Sequence, residues 1–407
     1  MARNYDDEYI EDEVRPKKKS SSKSGSAKST GKKSSGSKPS GKKSSGGKSS
    51  GKKMSKKAQA KKQRRRIIIF VVEIIVLIVA VFFLYGVMSG TKSGKVDLDE
   101  GDIIINDTVM EAQETTMKGY RNIALFGVDS TTGALTKNTR SDTIMIASIN
   151  QDTGECKLVS VYRDTYLNLS NDSYNKCNSA YAKGGPEQAI SMLNMNLDLN
   201  ITDFVTVGFA GLTDTIDALG GVYIDVDDAE ISHLNNYQLC IAEDLKRSYT
   251  PVSSTGYQLL NGLQATGYCR IRYTAGDDFK RAERQREVLS AVADQAKKAS
   301  LPQLTETANS VFSEVYTSLD LSEIVEMLGN VNTYYISETG GFPTEDMRTT
   351  GTIGSKGSCV IPTNLEENVK WLHQFLFDDN DYEPSAAVKK CSEQIYQDTN
   401  GYLKKTD

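Results

Sequence analysis

The stretch Gly276 to Val292, GDDFKRAERQREVLSAV, sets two aspartates and then Arg281, Arg284 and Arg286 at the start of an amphipathic helical pattern. Arg281, Arg284 and Gln285 follow one another at i, i+3 and i+4, so they share a face. Val288, Leu289, Val292, Ala293 and Ala296 supply the apolar positions that bury such a helix and hold its first turns in place. The helix N-terminus adds its own preference for anions. Arg286 points away from this face and reads as a solvated charge. Just upstream, Arg270 and Arg272 in YCRIR are two apart and share a side of an extended segment.

More charge gathers where apolar runs end. RNIALFGV (121–128), TIMIASI (143–149) and KLVSVY (157–162) read as strands, rich in β-branched and apolar residues. NQDTGE between the second and third is a turn signal. If the first two strands form an antiparallel hairpin, Asp129 and the Arg140–Ser141–Asp142 triplet lie at one end of the sheet. The third strand returns Tyr162–Arg163–Asp164 to that same end. Arginine forks match phosphate oxygens bidentately, and carboxylates beside phosphates are the usual way to hold Mg²⁺. Surface ion pairs would account for any one of these residues; the convergent set favours a diphosphate with a magnesium ion.

Other chemistries lack their parts. The chain has two histidines, His233 and His373, and neither falls in these clusters, so a Ser-His-Asp hydrolase is poorly supported. No GxxxxGK[ST] is present, so no P-loop is indicated.

The elements that must position these groups belong to a chain of 407 residues with a net charge of −4. That balance hides a division: residues 1–66 carry +16 and the remainder −20. Residues 1–66 form a Lys/Ser/Gly-rich cytoplasmic tail with too little apolar surface to fold, expected to be disordered. IIIFVVEIIVLIVAVFFLYGVM, residues 67–88, contains one charge, Glu73, and as a helix would span about 33 Å, enough to cross a bilayer. KKQRRR before it should keep the N-terminus inside, so the chain is expected to be a single-pass, signal-anchored protein of the cell membrane with its folded domain extracellular. Residues 89–119 read as a spacer, 120–300 as the domain that carries these charges and 301–407 as a C-terminal part that completes it.

Past the third strand, a helix is expected at 185–197, a strand at 203–209, a helix closed by Gly220 and Gly221, a strand at 222–226, and helices at 279–299 and 303–330. Residues 229–255 read as an insertion or long loop. This alternation indicates an α/β fold, an α/β/α sandwich with a central mixed β-sheet, preceded by the basic tail and one transmembrane helix. All six cysteines follow the apolar span, where disulfides are permitted; several sit in apolar runs and read equally as small buried hydrophobes.

The blocks FGVDS…TRSDTIMIASIN, KLVSVYRDTYLNL, NKCNSAYAKGG, DALGGVYIDV, GYQLLNGLQATGYCRIR and DDFKRAERQREVL, in this order over about residues 120–295, resemble the LytR-CpsA-Psr family of Gram-positive cell-envelope enzymes. The resemblance implies transfer of an anionic glycopolymer, of teichoic acid or capsular polysaccharide type, from a polyprenyl-diphosphate carrier to peptidoglycan. By the same resemblance Asp129 and Asp142 match the magnesium ligands, with Mn²⁺ as an alternative metal. Arg140, Arg163, Arg270, Arg272, Arg281 and Arg284 match the diphosphate-binding arginines, and Gln285 a polar partner beside them. Asp278 matches the acidic residue that assists the acceptor hydroxyl, and Asn178 an asparagine lining the pocket. The implied catalytic set is Asp129, Arg140, Asp142, Arg163, Asp278 and Arg281. Tyr162 stands where the family usually has proline, Lys280 where it has glycine, and Cys177 and Cys269 at usually aliphatic positions.

Two rival readings share this sequence. The same site could hydrolyse the lipid diphosphate, as a phosphatase or pyrophosphatase, or the protein could be a non-enzymatic envelope regulator or scaffold. The basic tail would bind polyanions without specificity; nothing in it indicates a specific nucleic-acid partner, and the anionic inner leaflet is the better match.

Overall fold

The computed structural model describes residues 95–403, apart from 97, 99, 131–134, 137, 273 and 275. The basic tail, the apolar span at 67–88 and the first residues of the spacer lie outside the described residues. No helix among the described residues is long and apolar enough to cross a membrane.

A short helix, α1 (Asp107–Gln113), leads into three antiparallel strands, β1 (Tyr120–Val128), β2 (Ser141–Asn150) and β3 (Glu155–Val161). A hairpin of β4 (Tyr166–Asn168) and β5 (Tyr174–Lys176) precedes the long helix α2 (Asn178–Leu197). Next come β6 (Asp203–Val207), α3 (Phe209–Ala218), β7 (Val222–Val226), α4 (Asp228–Asp244), β8 (Gly256–Leu260) and α5 (Gly262–Tyr268). The charged helix of the opening motif is α6 (Asp277–Ala296). It is followed by α7 (Leu301–Val311), β9 (Val315–Thr317), α8 (Leu321–Gly329), β10 (Tyr335–Phe342), the pair β11 (Arg348–Thr352) and β12 (Ser358–Pro362), and helices α9 (Leu365–Phe377) and α10 (Ala386–Leu403).

The six-stranded sheet has the order β10-β3-β2-β1-β6-β9. It is mixed: β1 and β6 run parallel, as do β3 and β10, while the other pairs are antiparallel. Both edge strands come from residues after 300. On one face Phe126, Ile144, Ile146, Val159 and Val161 join α2, α9 and α10 in the main core. Tyr162, one residue beyond Val161, packs instead with Phe279 and Ala282 of α6. A second core lies between β7, β8 and helices α3 to α6.

Three expectations are corrected. Residues 229–255 are not a loop: α4 fills most of that segment. Asp227 and Glu230 form a capping box, with the Glu230 carboxylate accepting from the Asp227 N–H at 3.0 Å. Its apolar stripe is thin, essentially Leu234, Ile241 and Ala242, which hid the period. The helix expected at 303–330 is two helices. Val315, Tyr316 and Thr317 pair with β6, and Asp320 then caps a new helix by accepting from the Glu323 N–H at 2.9 Å. The helix expected from residue 185 begins at Asn178, with a kink at Gly185, whose φ of 69° only glycine adopts readily. All six cysteines are free thiols, and Cys177, Cys269, Cys359 and Cys391 are buried.

Candidate diphosphate-binding site

The β1–β2 hairpin and the end of β3 bring their charges to one end of the sheet, and α6 crosses there with its N-terminus. Two left-handed residues, Gly276 (φ 97°) and Asp277 (φ 43°), turn the chain into the helix. Asp278 and Arg281 then face the strand ends. Between them lies a cavity of about 260 Å³, with Asp142, Arg163, Asp278, Arg281 and Gln285 on its walls.

Asp142 is the hub. Its Oδ1 accepts from Arg163 Nη1 at 2.9 Å and its Oδ2 from Arg281 Nη2 at 2.8 Å. Burial would raise its pKa, but Arg281 and Arg163 outweigh that and hold the carboxyl well below the usual range. Asp278 is the second hub. Arg272 donates to both of its oxygens, at 3.0 and 3.2 Å, and Arg163 and Arg281 each stand 3.7 Å away. Burial again opposes ionisation, and Arg163, Arg272 and Arg281 together overcome it, so Asp278 also titrates below its ordinary value. Three guanidiniums thus converge on two carboxylates. The Nε–H groups of Arg163 and Arg281 are buried and have no acceptor among the described residues.

Asp129 stands exposed just beyond β1, where the register shifts at Val128. Its pKa is raised, first by the protein that displaces water around it, then by Asp142 against the opposing pull of Arg270 and Arg281. Arg270 stacks over Phe209 and Tyr237, 4.5 and 5.3 Å from the ring centroids. Arg140 is exposed at the start of β2. Gln285 lies on the cavity wall and donates to the Cys269 carbonyl at 3.4 Å.

Arg284, Asn178 and Arg286 are placed otherwise than the sequence suggested. Arg284 is 1% exposed and does not line the cavity. Its Nε donates to Glu230 Oε1 at 2.7 Å, Nη1 to the Ile271 carbonyl at 3.1 Å and Nη2 to Thr274 Oγ1 at 2.6 Å. It therefore fixes the segment that carries Arg272. Asn178 is buried where α2 begins, and its backbone N–H donates to the Arg163 carbonyl at 3.1 Å; it supports the arginine from behind. Arg286 is not on a solvated face. It is lodged near Tyr162, with Nε and Nη1 buried and without acceptors among the described residues, and this burial lowers its pKa. Lys280 points to solvent, paired with Glu283 at 2.9 Å.

The opposite wall was not found from the sequence. Thr350, Ser358, Cys359 and Val360 come from β11 and β12. Tyr162 packs edge-on against Phe279 with centroids 4.7 Å apart, and Arg348 lies 3.9 Å from the Phe279 centroid and 5.1 Å from that of Tyr162. The one signal available was Tyr162 itself: an aromatic at that position needs partners of its own. No cluster of three or more His, Cys, Asp or Glu side chains that could hold a metal occurs among the described residues.

The mixed α/β sheet gathers arginines and carboxylates at its strand ends, and comparison with known proteins places this arrangement in a family. Residues 84–356 match the LytR_cpsA_psr family, and the chain belongs to that family. The polyisoprenyl-teichoic acid–peptidoglycan teichoic acid transferase TagU of Oceanobacillus iheyensis is 30% identical over 217 residues, which is 51% of this chain and 62% of that protein. The chain thus spans about three-fifths of the length of the curated relatives it matches first. Among solved structures, TagT bound to LIIa-WTA superimposes with a TM-score of 0.54 at 21% identity, covering 70% of this chain and all of that one. The family protein YwtF (TagT) with bound octaprenyl pyrophosphate lipid gives 0.50 at 21% identity, over 69% of this chain and 99% of that one. These two likenesses bear on the fold.

Proposed function

We propose that this protein transfers an anionic glycopolymer from a polyprenyl-diphosphate carrier to a hydroxyl of peptidoglycan, forming a phosphodiester in cell-wall biogenesis. The observation that carries the reading is the pair Arg163 and Arg281 on one cavity, with Arg272 behind Asp278, all held by Asp142 and Asp278, and with two buried Nε–H donors that have no acceptor among the described residues. Guanidinium forks of this kind are suited to the oxygens of a diphosphate. Membership of the family and the named activity of the relative TagU support it.

In this reaction the acceptor oxygen forms a bond to phosphorus, the bond to the polyprenyl phosphate breaks, and the acceptor proton passes to a carboxylate. Asp278 starts as a poor base, because three arginines hold its proton affinity down. A bound diphosphate that draws those arginines to its own oxygens raises the affinity of Asp278 for a proton, so donor binding itself prepares the base. The arginines neutralise charge developing on the phosphoryl oxygens.

Asp129 and Asp142 are the residues that would hold Mg²⁺, or Mn²⁺ in its place. The fit rests on Asp142 being ionised, on Asp129 feeling its charge, and on the small number of protein ligands, since magnesium takes one or two carboxylates and completes its shell from phosphates and water. When bound, the ion supplies charge neutralisation at the diphosphate. The fold is read as the extracellular α/β/α sandwich of a membrane-anchored enzyme, so its partners are the lipid-linked donor, the membrane and peptidoglycan.

The test uses the full chain in detergent with a polyprenyl-diphosphate-linked saccharide, peptidoglycan fragments and Mg²⁺, the products read by mass spectrometry. A saccharide–phosphate–peptidoglycan adduct that Arg163→Ala and Arg281→Ala lose is the expected result. Free sugar phosphate without adduct would replace the transferase with a hydrolase. No turnover and no arginine-dependent lipid binding would leave the scaffold reading.

A further inference from the structure

A second cavity, of about 490 Å³, lies where two segments that line the first continue along the chain. Asp164 lines the first and Tyr166 the second, two residues on; Ser358 lines the first and Lys356 the second, two residues back. The segments are bonded to one another, with the Val360 N–H donating to the Asp164 carbonyl at 2.9 Å and Thr165 bridging to Val360. Arg163, which lines the first cavity, therefore stands three residues from Tyr166.

The second cavity is built, with its polar groups held in place. The Tyr166 ring is fully buried and its hydroxyl donates to Asp398 Oδ2 at 2.9 Å. The other oxygen of Asp398 accepts from Gln394 Nε2 at 2.9 Å, which fixes the amide beside it. The Lys356 ammonium sits 5.3 Å above the Tyr166 ring and makes no ion pair with a carboxylate among the described residues. Tyr174 lies 6.0 Å from Tyr166, its hydroxyl accepting from Asn168 Nδ2 at 3.3 Å. Lys390 is at the rim, paired with Asp172 at 3.1 Å. Three of the lining residues, Lys390, Gln394 and Asp398, come from α10, beyond the residues matched to the family.

The half-buried Tyr174 ring, the Gln394 amide and the Lys356 ammonium together suit a polyhydroxylated sugar that carries a carboxylate: the sugar packs on Tyr174, hydroxyls meet the amide, and the carboxylate meets Lys356. The volume lies in the range of small-ligand sites, roughly 300–1,000 Å³. A two-substrate transfer needs such a place next to the diphosphate, because the attacking hydroxyl must reach phosphorus while its own saccharide is held elsewhere. We infer that the cavity walled by Tyr166, Tyr174, Lys356 and Gln394 is the acceptor subsite, binding a carboxylate-bearing saccharide whose hydroxyl is presented toward the neighbouring arginine cleft. This rests on the transfer reading for its acceptor role.

The experiment uses the full chain in detergent and a soluble muropeptide, a disaccharide with a lactyl ether and a short peptide carrying free carboxylates, titrated calorimetrically. Lys356→Ala and Gln394→Ala are compared with wild type and with the surface variant Lys280→Ala, all checked for unchanged melting temperature. Wild type and Lys280→Ala should bind alike, and the other two about tenfold more weakly, as the loss of one charge-assisted or neutral hydrogen bond predicts. In the transfer assay both should raise the muropeptide KM with the donor KM unchanged. No binding by wild type, or equal binding by all four proteins, overturns the inference. Displacement of the muropeptide by anionic phospholipid vesicles at matched charge also overturns it, in favour of a membrane contact. Binding that the two variants lose, without transfer by any protein, would sink the proposed reaction and keep the saccharide site.

Discussion

Arg281 and Arg284 stand three residues apart on α6, both almost wholly buried, yet they do different work. Arg281 shares the carboxylate of Asp142 with Arg163, borders a cavity and keeps its Nε–H without an acceptor among the described residues. Arg284 spends its donors on Glu230, Ile271 and Thr274 and lines neither of the two cavities described above. Under the proposed function, unfilled donors beside a cavity mark an arginine placed for a ligand; filled donors mark one that holds the fold. Burial alone does not separate them.

The largest effect expected from this contrast is at Glu230. Glu230→Ala leaves the Arg284 guanidinium buried without its counter-charge, which costs about 3–5 kcal/mol. A large fall in melting temperature is the expected result, and a wild-type value would show that Arg284 is not structural. Arg281→Ala should do the reverse, lowering the melting temperature less than Glu230→Ala, because Arg163 still pairs with Asp142, while transfer falls about 10²–10³-fold, the scale for one lost electrostatic contact to developing charge. Equal losses of stability for the two would erase the distinction.

His373 offers a comparison outside the arginines. It is buried against Tyr382, with ring centroids 3.5 Å apart, and burial pushes its pKa down to about 4. Its folded value lies below the unfolded one, so the neutral ring stabilises the fold fully above about pH 6.5, and this contribution is lost as pH falls toward 4. The total is about 3 kcal/mol, at about 1.4 kcal/mol per unit. His373→Gln should flatten the stability profile across that window; an unchanged slope would place the acid sensitivity elsewhere. The paired carboxylates Asp142 and Asp278 act lower, their contribution being present above about pH 4 and fading below it. The smallest effect belongs to Lys280→Ala. It removes an exposed pair with Glu283 and should change stability by less than about 1 kcal/mol and transfer not at all.

The strand ends were legible because alternation and a short turn fix which end of the sheet each charge reaches. Asp142 and Arg163 therefore meet as expected. Depth was not legible. The i, i+3 spacing places Arg281 and Arg284 on one face, but the partner that buries Arg284 is Glu230, in a segment whose thin apolar stripe read as a loop. Arg286 was misread for a related reason: α6 packs against β3 and β10 as well as β7, so more than one of its sides is covered. The β11–β12 wall was missed because nothing local in Thr350 or Ser358 marks them as facing a site whose other residues, Gln285 at the nearest, lie far earlier in the chain.

Both margins of the central sheet are late arrivals. Strand β10 pairs with β3, Tyr335 opposite Glu155, and β9 pairs with β6, Val315 opposite Val207. A chain emerging N-terminus first thus presents β3 and β6 as open edges until more than a hundred further residues have followed, and unpaired edges recruit other chains. Truncation anywhere before Phe342 should accordingly yield aggregates rather than a smaller working domain.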